Sequence, residues 1–331
     1  MPYCPSSDFA KVEGTDLSTG LVIEDGAQNQ YVWIEVPRTA KVYPKAGINI
    51  TEAEDGSFKD EQYTTIETDL HTYTTTYRNG TSYTDEHYSD TQTGLTETQY
   101  NDLKKTMLKS VYENGGFWIG RYETGIEDSY RDYGSDNTTE HPINETPVIK
   151  ANAYPYNWVG CSQAQTLASR FSGSGYTSSL MFGVQWDLVL KYLETKAVEK
   201  GAEIATIQSE LNSSSTSWGN CHNNTYNITN TFAKYSSDAG STWTNEPYKK
   251  ESSGAILLTT GASDTFSKQN IYDLAGNVWE RTLEYTSNTS YPCATRGGDF
   301  SSYGSGHPAS YRGNSSTTYS SSIGRFPCCT L

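Results

Sequence analysis

Histidine and cysteine are the side chains of this chain with the widest chemical range, because they bind metals and act as nucleophiles or proton carriers. The chain has five histidines and six cysteines. No two histidines are four residues apart and no two cysteines form a CxxC pair, so neither type has the spacing of a zinc site. The pattern predicts free buried thiols, with a disulfide at Cys221 or Cys293 as an alternative outside a reducing compartment. We expect the adjacent Cys328 and Cys329 in or beside a closing strand.

A second group of residues with binding potential lies near the end of the chain. Between positions 301 and 322 there are nine Ser, three Tyr and three Gly, and Tyr303, Tyr311 and Tyr319 recur through the segment. This composition fits a disordered tail, which has too little apolar surface to offset the entropy of ordering. It also fits a recognition loop, in which Tyr supplies contact area and small residues adapt to the ligand. Composition alone leaves both interpretations open.

The bulk composition restricts the class of protein. The 331 residues suffice for one large or two ordinary domains, and although only 34% are hydrophobic, 13% are aromatic and can bury large areas. The net charge of -15 argues against nucleic acid as a partner, because binding phosphates requires clustered Lys and Arg. The sequence has no apolar window of about 18 residues, so it predicts no membrane-spanning helix. The first residues lack the basic and apolar regions of a secretory signal peptide.

Alternating and helical patterns predict the elements that must position the candidate residues. Residues 30–37 alternate apolar and polar side chains and predict a strand, and 117–125 predict another. Three helices are also predicted: one that begins with a capping box of Thr96 and Gln99, one over 162–171 capped by Ser162, and one over 184–202.

Two polar stretches interrupt these elements. Residues 49–94 predict an insertion, with a short β-ribbon in 71–88 that turns at Asn79 and Gly80. Residues 212–252 are rich in Asn, Ser and Thr and predict surface loops. No clear linker separates the segments, so the chain is predicted to form one elaborated domain.

Four segments occur in an order that resembles a known family. They read FWIGRYETG, SSLMFGVQWDLVLKYL, DLAGNVWERT and ATRGGDF, and they are similar to motifs of the C-type lectin fold of the formylglycine-generating enzyme type. GNVWE and RGG are the specific motifs among them. The resemblance implies an α+β domain over 30–331 after a lead-in of 1–29, with 49–94 and 212–252 as its insertions.

The two specific motifs also have physical reasons to be scaffold. Gly276 and Asn277 suit a tight turn, since both tolerate a left-handed backbone. Gly297 and Gly298 permit positive φ or a close backbone approach. We expect Trp279 to pack inward. The predicted scaffold residues are Gly276, Asn277, Trp279, Glu280, Arg296, Gly297 and Gly298.

The family contains oxidases, so catalysis needs to be judged residue by residue. Members that make formylglycine hold copper with two cysteines after the Gly-Gly pair, and Ser302 and His307 occupy those positions here. Iron-dependent relatives need three clustered histidines, whereas four of the five histidines here lie outside the recognised motifs. We therefore expect no catalysis and no cofactor, with a structural calcium near Asp273 and Asn277 left open. A metal-dependent oxidase related to these enzymes is the alternative.

A second branch with this fold consists of the variable proteins of diversity-generating retroelements, which bind ligands or receptors. In that branch the segment after RGG is rewritten at template adenines, and the AAC-type codons involved never yield Lys, Glu, Gln, Met or Trp. Residues 299–322 contain none of these five types. This favours a recognition loop over a disordered tail and implies a variable region at about 296–326.

The resemblance thus implies a non-catalytic binder of an unknown protein or surface receptor, encoded by a phage or prophage. A rigid scaffold would lower the ordering cost at binding. Residues 308–312 and 316–318 resemble fixed scaffold between variable positions, and the three tyrosines would act as anchors. The predicted ligand-facing residues are Asp299, Ser301, Ser302, Tyr303, Gly306, His307, Tyr311, Gly313, Asn314, Ser315, Tyr319 and Ser321.

Overall fold

The structure is a computed structural model that describes residues 2–78, 80–134, 136, 138–315, 323–325 and 328–330. Side chains are described as far as residue 315. Some predicted positions therefore lie outside the described residues, namely Asn79, the segment 316–318, Tyr319 and Ser321.

Helices occupy much of the middle of the chain. Within the described residues they are α1 (Asp60–Tyr73), α2 (Thr75–Arg78), α3 (Asp90–Thr93), α4 (Glu97–Asn114), α5 (Cys161–Ser169), α6 (Gly183–Glu199) and α7 (Ile204–Asn212), with 3-10 turns at Thr216–Trp218 and Asp264–Phe266. None of these helices combines the length and the apolar character needed to cross a bilayer.

Strands are distributed along the whole described chain. They are β1 (Ala10–Lys11), β2 (Val22–Glu24), β3 (Gln30–Glu35), β4 (Gly116–Gly120), β5 (Gly125–Ile126), β6 (Tyr154–Pro155), β7 (Thr177–Ser179), β8 (Tyr226–Asn227), β9 (Tyr235–Ser236), β10 (Lys249–Lys250), β11 (Leu257–Leu258), β12 (Trp279–Tyr285), β13 (Cys293–Arg296), β14 (Arg312–Ser315), β15 (Ile323–Arg325) and β16 (Cys328–Thr330).

The described strands form two larger sheets. The first has the order β1-β2-β3-β4-β16-β7, and the second has the order β14-β13-β12-β15. Their pairs are antiparallel except for β12 with β15, which is parallel. The predicted closing strand with Cys328 and Cys329 is confirmed, because β16 lies between β4 and β7.

Apolar side chains cover both faces of the first sheet. The predicted strand at its centre is β3, and Val32 and Ile34 pack into the main core as the alternation predicts. Tyr31 and Trp33 belong to a second core cluster, in which Trp33 meets Trp118 with ring centroids 5.1 Å apart. Since each buried aromatic ring removes a large area from water, this sheet is fixed from both sides.

The predicted capping box is present at the start of α4. Thr96 Oγ1 accepts the N–H of Gln99 at 3.2 Å, and Gln99 Oε1 accepts the N–H of Thr96 at 2.9 Å. The cap predicted for α5 is wrong, because the helix begins one residue before Ser162 and its N-cap is Gly160. There the side chain of Gln163 accepts the N–H of Gly160 at 3.2 Å.

Helix α6 lies against β3 of the first sheet and β12 of the second. Asp85, from the first polar stretch, caps its N-terminus by accepting the N–H groups of Gly183 at 2.6 Å and Val184 at 2.9 Å. A carboxylate is favoured at this end of the helix dipole. Burial alone would raise the pKa of Asp85, but His71, Arg78 and the N–H of Val184 hold that pKa well below its usual range. The cap is therefore ionised.

The β-ribbon predicted over 71–88 is wrong, because helices α1 and α2 occupy its first part. The helical spacing of Ile66 and Leu70 buries both in the main core. The threonines that favour a strand instead donate their hydroxyls to carbonyls one turn earlier, as Thr72 does to Thr68 at 2.8 Å. Burial of the helix face therefore outweighs the strand propensity of threonine.

Candidate ligand-binding face

The turn at Gly276 and Asn277 is tied to its surroundings by one buried amide. Both residues have positive φ, 82° and 54°, as the sequence predicts. The side-chain oxygen of Asn277 accepts the N–H of Leu258 and the amide of Asn220, each at 3.0 Å, while its NH₂ donates to Glu123. A Cβ at Gly276 would lie 2.4 Å from the carbonyl oxygen of Asn220, so the turn requires glycine there.

The RGG motif forms the corner after β13. Gly297 and Gly298 have φ of 82° and 83°, which confirms the expected positive φ. A Cβ at Gly297 would lie 2.5 Å from the carboxylate of Glu280, and one at Gly298 would lie 2.9 Å from Cβ of His307. The corner therefore brings the chain after it close to β12, where Glu280 is buried.

Arg296 belongs to a buried group of charges that joins the second sheet to α6. Its guanidinium donates to Glu284 at 2.8 Å and to Asp187 at 2.9 Å. Arg312, at the start of β14, donates to the same two carboxylates, at 2.9 Å to Glu284 and 2.7 Å to Asp187. Arg78 of α2 completes the group with a contact of 2.8 Å to Asp187. We call these five residues the arginine network.

The arginine network is balanced in charge by the cap of α6. Its three guanidinium groups face two carboxylates, and Asp85 supplies a third negative charge, which raises the pKa of Arg78 against the lowering effect of burial. Asp187 and Glu284 are fully buried. Buried charges are stable only when they are paired and hydrogen-bonded, so the network fixes where β14 joins the sheet.

The sequence carried a signal for this network that composition alone did not resolve. Arg312 is the one charged residue between positions 300 and 322, apart from neutral histidine. A lone charge in a segment of Ser, Tyr and Gly indicates a specific partner. Its partners Asp187 and Glu284 come from a predicted helix and from the strand after GNVWE, and nothing in their local patterns marks them as ligands of arginine.

Beyond the RGG corner, the chain runs through an exposed loop and into β14. Of the predicted ligand-facing positions, Ser301, Tyr303, Gly306 and Asn314 are exposed, whereas Ser302, His307, Tyr311 and Gly313 are half-buried. We call these eight residues the terminal face. The same segment also contains buried residues, so the sequence predicted more ligand-facing positions than the structure exposes.

Asp299 and Ser315 are buried rather than ligand-facing, which corrects the prediction for both. The carboxylate of Asp299 accepts the backbone N–H of Ser301 at 3.1 Å and the hydroxyls of Ser301 and Ser302 at 2.9 and 2.7 Å. It therefore closes the turn that starts the loop, as an aspartate at this position of a turn often does. Ser315 lies opposite Cys293 in the pairing of β14 with β13.

Three aromatic side chains meet at one side of the terminal face. Trp279 lies edge-on to His307 with ring centroids 5.1 Å apart, and His307 lies edge-on to Tyr311 at 4.5 Å. Trp279 was expected to pack inward, but it is half-buried, because these two rings cover only part of it. Burial lowers the pKa of His307 while Asp299 acts in the opposite direction, and the net effect favours the neutral imidazole.

The second polar stretch holds the loop of the terminal face through its backbone. The N–H of His222 donates to the carbonyl of Ser302 at 2.8 Å, and the N–H of Ser215 donates to Gly304 at 3.0 Å. The imidazole of His222 also stacks on Tyr303 with ring centroids 4.9 Å apart. The sequence predicted this stretch as surface loops and missed its contacts with the face.

The far side of the same loop is held in a similar way. The N–H of Ala309 donates to Ser215 Oγ at 2.8 Å, and its carbonyl accepts the indole N–H of Trp186 at 2.9 Å. Ser310 donates its N–H to Leu211 at 3.1 Å. The predicted scaffold role of residues 308–312 agrees with these contacts.

One residue of the first polar stretch lies beside the terminal face. Tyr83 is half-buried and its hydroxyl is hydrogen-bonded to the side chain of Asn314. Its pKa is raised, chiefly by burial. Sequence reasoning placed Tyr83 in a ribbon within an insertion, far from the terminal segment, and no local pattern links the two.

Two places in the structure bear on metal binding. The side-chain oxygen of Asn277 already accepts two hydrogen bonds, so it offers little to a calcium ion beside Asp273. Within the described part of the chain, one group of three His, Cys or carboxylate side chains comes together, at Glu67, His71 and Asp85. There Lys104 Nζ lies 3.2 Å from both carboxylate oxygens of Glu67 and already supplies a positive charge.

The arginine network leads to a first prediction, on stability. Asp187→Ala leaves three buried guanidinium groups short of a partner, and we expect it to lower the free energy of unfolding by about 3–5 kcal/mol. Urea denaturation followed by circular dichroism measures this change. The control is Glu251→Ala, which removes the partner of Lys249 in an exposed pair and should change stability by less than about 1 kcal/mol. Similar losses in the two variants would contradict the assigned role.

The setting of His307 leads to a second prediction, on pH. We expect its titration midpoint, followed by NMR, to lie below the usual value of about 6.5. The folded state binds this proton less readily than the unfolded chain does. The contribution of His307 to stability is therefore present above about pH 6.5 and is lost as the pH falls from there through the lower midpoint of the folded state. Tyr311→Ala uncovers the imidazole and should move the midpoint back up. A midpoint at or above 6.5 in the unmodified protein would show that burial does not control it.

Comparison with known proteins adds little to this geometry. No family model matches the chain, and no curated protein matches it. Among solved structures, variable protein 1 of Treponema denticola is similar at a TM-score of 0.25 and 14% identity, over 100% of this chain and 99% of that one. A similarity of this size does not establish a shared fold.

Proposed function

We propose that the chain is a non-catalytic binding protein that contacts a ligand through the terminal face. We further propose that its scaffold is a C-type lectin fold of the formylglycine-generating enzyme type and that a retroelement diversifies the face. The arrangement of helices and mostly antiparallel sheets is compatible with that scaffold. The motifs GNVWE and RGG supply the resemblance on which the scaffold assignment rests.

The observation that carries the proposal is that some residues of one segment hold its backbone while others are exposed to solvent. The loop is held through backbone groups and through the inward side chains of Asp299 and Arg312. Ser301 and Gly306 are exposed between these two residues, and Asn314 is exposed just after Arg312. A backbone held in this way can carry different exposed side chains without refolding, and a preformed loop lowers the entropy cost of binding.

The residue types on the terminal face suit recognition of a protein or a surface receptor. The side chain of Tyr303 is 51% exposed and is supported from one side by His222. A rigid, exposed tyrosine offers a large amphipathic contact at low entropic cost, and neighbouring Ser, Gly and Asn adapt by hydrogen bonding. Trp279, His307 and Tyr311 add a second aromatic area beside it. We propose both areas as anchors for the partner.

The third prediction tests the display of varied side chains. We expect the terminal part of this gene, sequenced deeply from a natural population, to vary at Ser301, Tyr303, Gly306 and Asn314. The inward-facing residues that hold the loop should stay constant in the same reads, because their replacement would release the loop. Asp299, Gly304 and Arg312 are the matched internal controls.

The reference for this comparison is the buried strand region 117–125. Variation confined to the exposed positions, together with a template copy whose adenines match them, would support the proposed function. A terminal segment that varies no more than 117–125 would refute it, and metal analysis with an oxidase assay would then test the alternative function.

The fourth prediction compares two glycines of the same loop. A Cβ at Gly306 would lie 3.5 Å from the carbonyl oxygen of Tyr303, an ordinary contact, whereas a Cβ at Gly304 would lie 2.5 Å from Cα of Thr216. Gly306→Ser should therefore change the free energy of unfolding by less than about 0.5 kcal/mol. Gly304→Ser should cost about 1–3 kcal/mol, because the backbone has to shift.

Thermal or urea denaturation measures both variants. Equal losses would mean that the loop does not separate variable from fixed positions. Gly313 is an intermediate case, since a Cβ there would lie 2.6 Å from the hydroxyl of Thr295, a side-chain atom that can rotate away.

A further inference from the structure

Two buried cysteines from distant parts of the chain meet below the terminal face. Cys161 is the first residue of α5, and Cys293 is the first residue of β13. Both are free thiols and both are buried. The hydroxyl of Tyr88 lies 3.6 Å from Sγ of Cys161 and 3.4 Å from Sγ of Cys293, so one side chain brings the two thiols together.

The surroundings of this pair favour one thiolate. The hydrogen bond from Cys161 is the main cause that lowers the pKa of Cys293 to about 6, with Arg281 and Tyr88 acting in the same direction and burial opposing them. The same contact with Cys293, together with burial, raises the pKa of Cys161. A thiolate beside a second thiol is the arrangement that reacts by thiol–disulfide exchange.

Another buried cysteine provides a contrast. Burial raises the pKa of Cys221 to about 12, and the sulfur of Cys221 contacts the carbonyl oxygen of Ser215. Burial alone therefore makes a thiol of this protein less reactive. The shared contact with the hydroxyl of Tyr88 sets Cys161 and Cys293 apart.

We propose that Cys161 and Cys293 are a disulfide-forming site that is oxidised by small-molecule disulfides. The thiolate of Cys293 attacks one sulfur of the oxidant, whose S–S bond breaks and whose departing sulfur takes a proton. Cys161 then loses its proton and attacks the sulfur of Cys293, which releases the second thiol of the oxidant. One protein S–S bond forms, and the two electrons and two protons that leave the protein reduce the oxidant to two thiols.

Tyr88 controls access to the pair. Its hydroxyl contacts both sulfurs, its side chain is half-buried, and its ring stacks on Tyr285 with centroids 5.0 Å apart. The described chain around the sulfurs is otherwise interior, since Cys161 and Cys293 are at most 2% exposed. A rotation of Tyr88 would admit the oxidant.

The bond would connect the core to the proposed binding region. Cys293 lies opposite Ser315 in the register of β13 with β14, so the crosslink would join α5 to the strand that supports Asn314 and Gly313. This inference stands on the contacts of Cys161 and Cys293 and is independent of the proposed function.

The fifth prediction tests the site in the full-length protein with oxidised glutathione as the probe. After oxidation, free thiols are alkylated and the digest is mapped by mass spectrometry without reduction. We expect a linked peptide that contains Cys161 and Cys293, a loss of about two mass units from the intact chain, and full reversal by a reducing agent. The rate should fall as the pH falls below about 6, where the thiolate is protonated.

Variants separate this site from general oxidation. Cys161→Ser should leave Cys293 with a glutathione adduct and no crosslink, while Cys221→Ser should still form the linked peptide. Tyr88→Ala should form it several times faster than the unmodified protein, and Tyr88→Phe, which keeps the ring, serves if the smaller side chain unfolds the protein. The proposal is overturned if neither the unmodified protein nor the Tyr88 variants yield the linked peptide while folded.

Discussion

The arginine network is the interaction on which the rest of the structure depends. Asp187 and Glu284 are fully buried, and a buried carboxylate is stable only with cationic partners in good geometry. Those partners are Arg78, Arg296 and Arg312, so α2, β13 and β14 have to meet at one place beside α6. The first polar stretch is therefore an integral part of the core, because both a guanidinium group and the cap of α6 come from it.

The network also explains how one short segment can have a fixed backbone and still expose some of its residues. Arg312 turns inward to Asp187 and Glu284, while Asn314, two residues later, is exposed. Before it, Asp299 closes the turn and Ala309 is held by two hydrogen bonds. Between these two residues, Tyr303 and Gly306 are exposed.

Local patterns predicted the elements well where neighbouring residues determine them. The capping box of Thr96 and Gln99 and the positive φ of Asn277 follow from short-range chemistry, and both are present. The ribbon over 71–88 failed because threonine favours strands only when no core face competes. The pair of Arg78 with Asp187 spans 109 positions, and no local pattern can predict such a partner.

The proposed face comes from the segment that the sequence singled out, but the sequence did not predict which residues of that segment are buried. Composition shows which side chains a segment contains. Whether a residue is buried depends on other segments, distant in sequence, that pack against it. Gly304 and Gly306 are the same residue type, yet the backbone of Thr216 lies against the first and the second is exposed to solvent. Asp299 is polar like its exposed neighbours, but three donors of the loop turn toward it. A rule based on residue type treats these positions alike, and only the packing of the second polar stretch against the loop separates them.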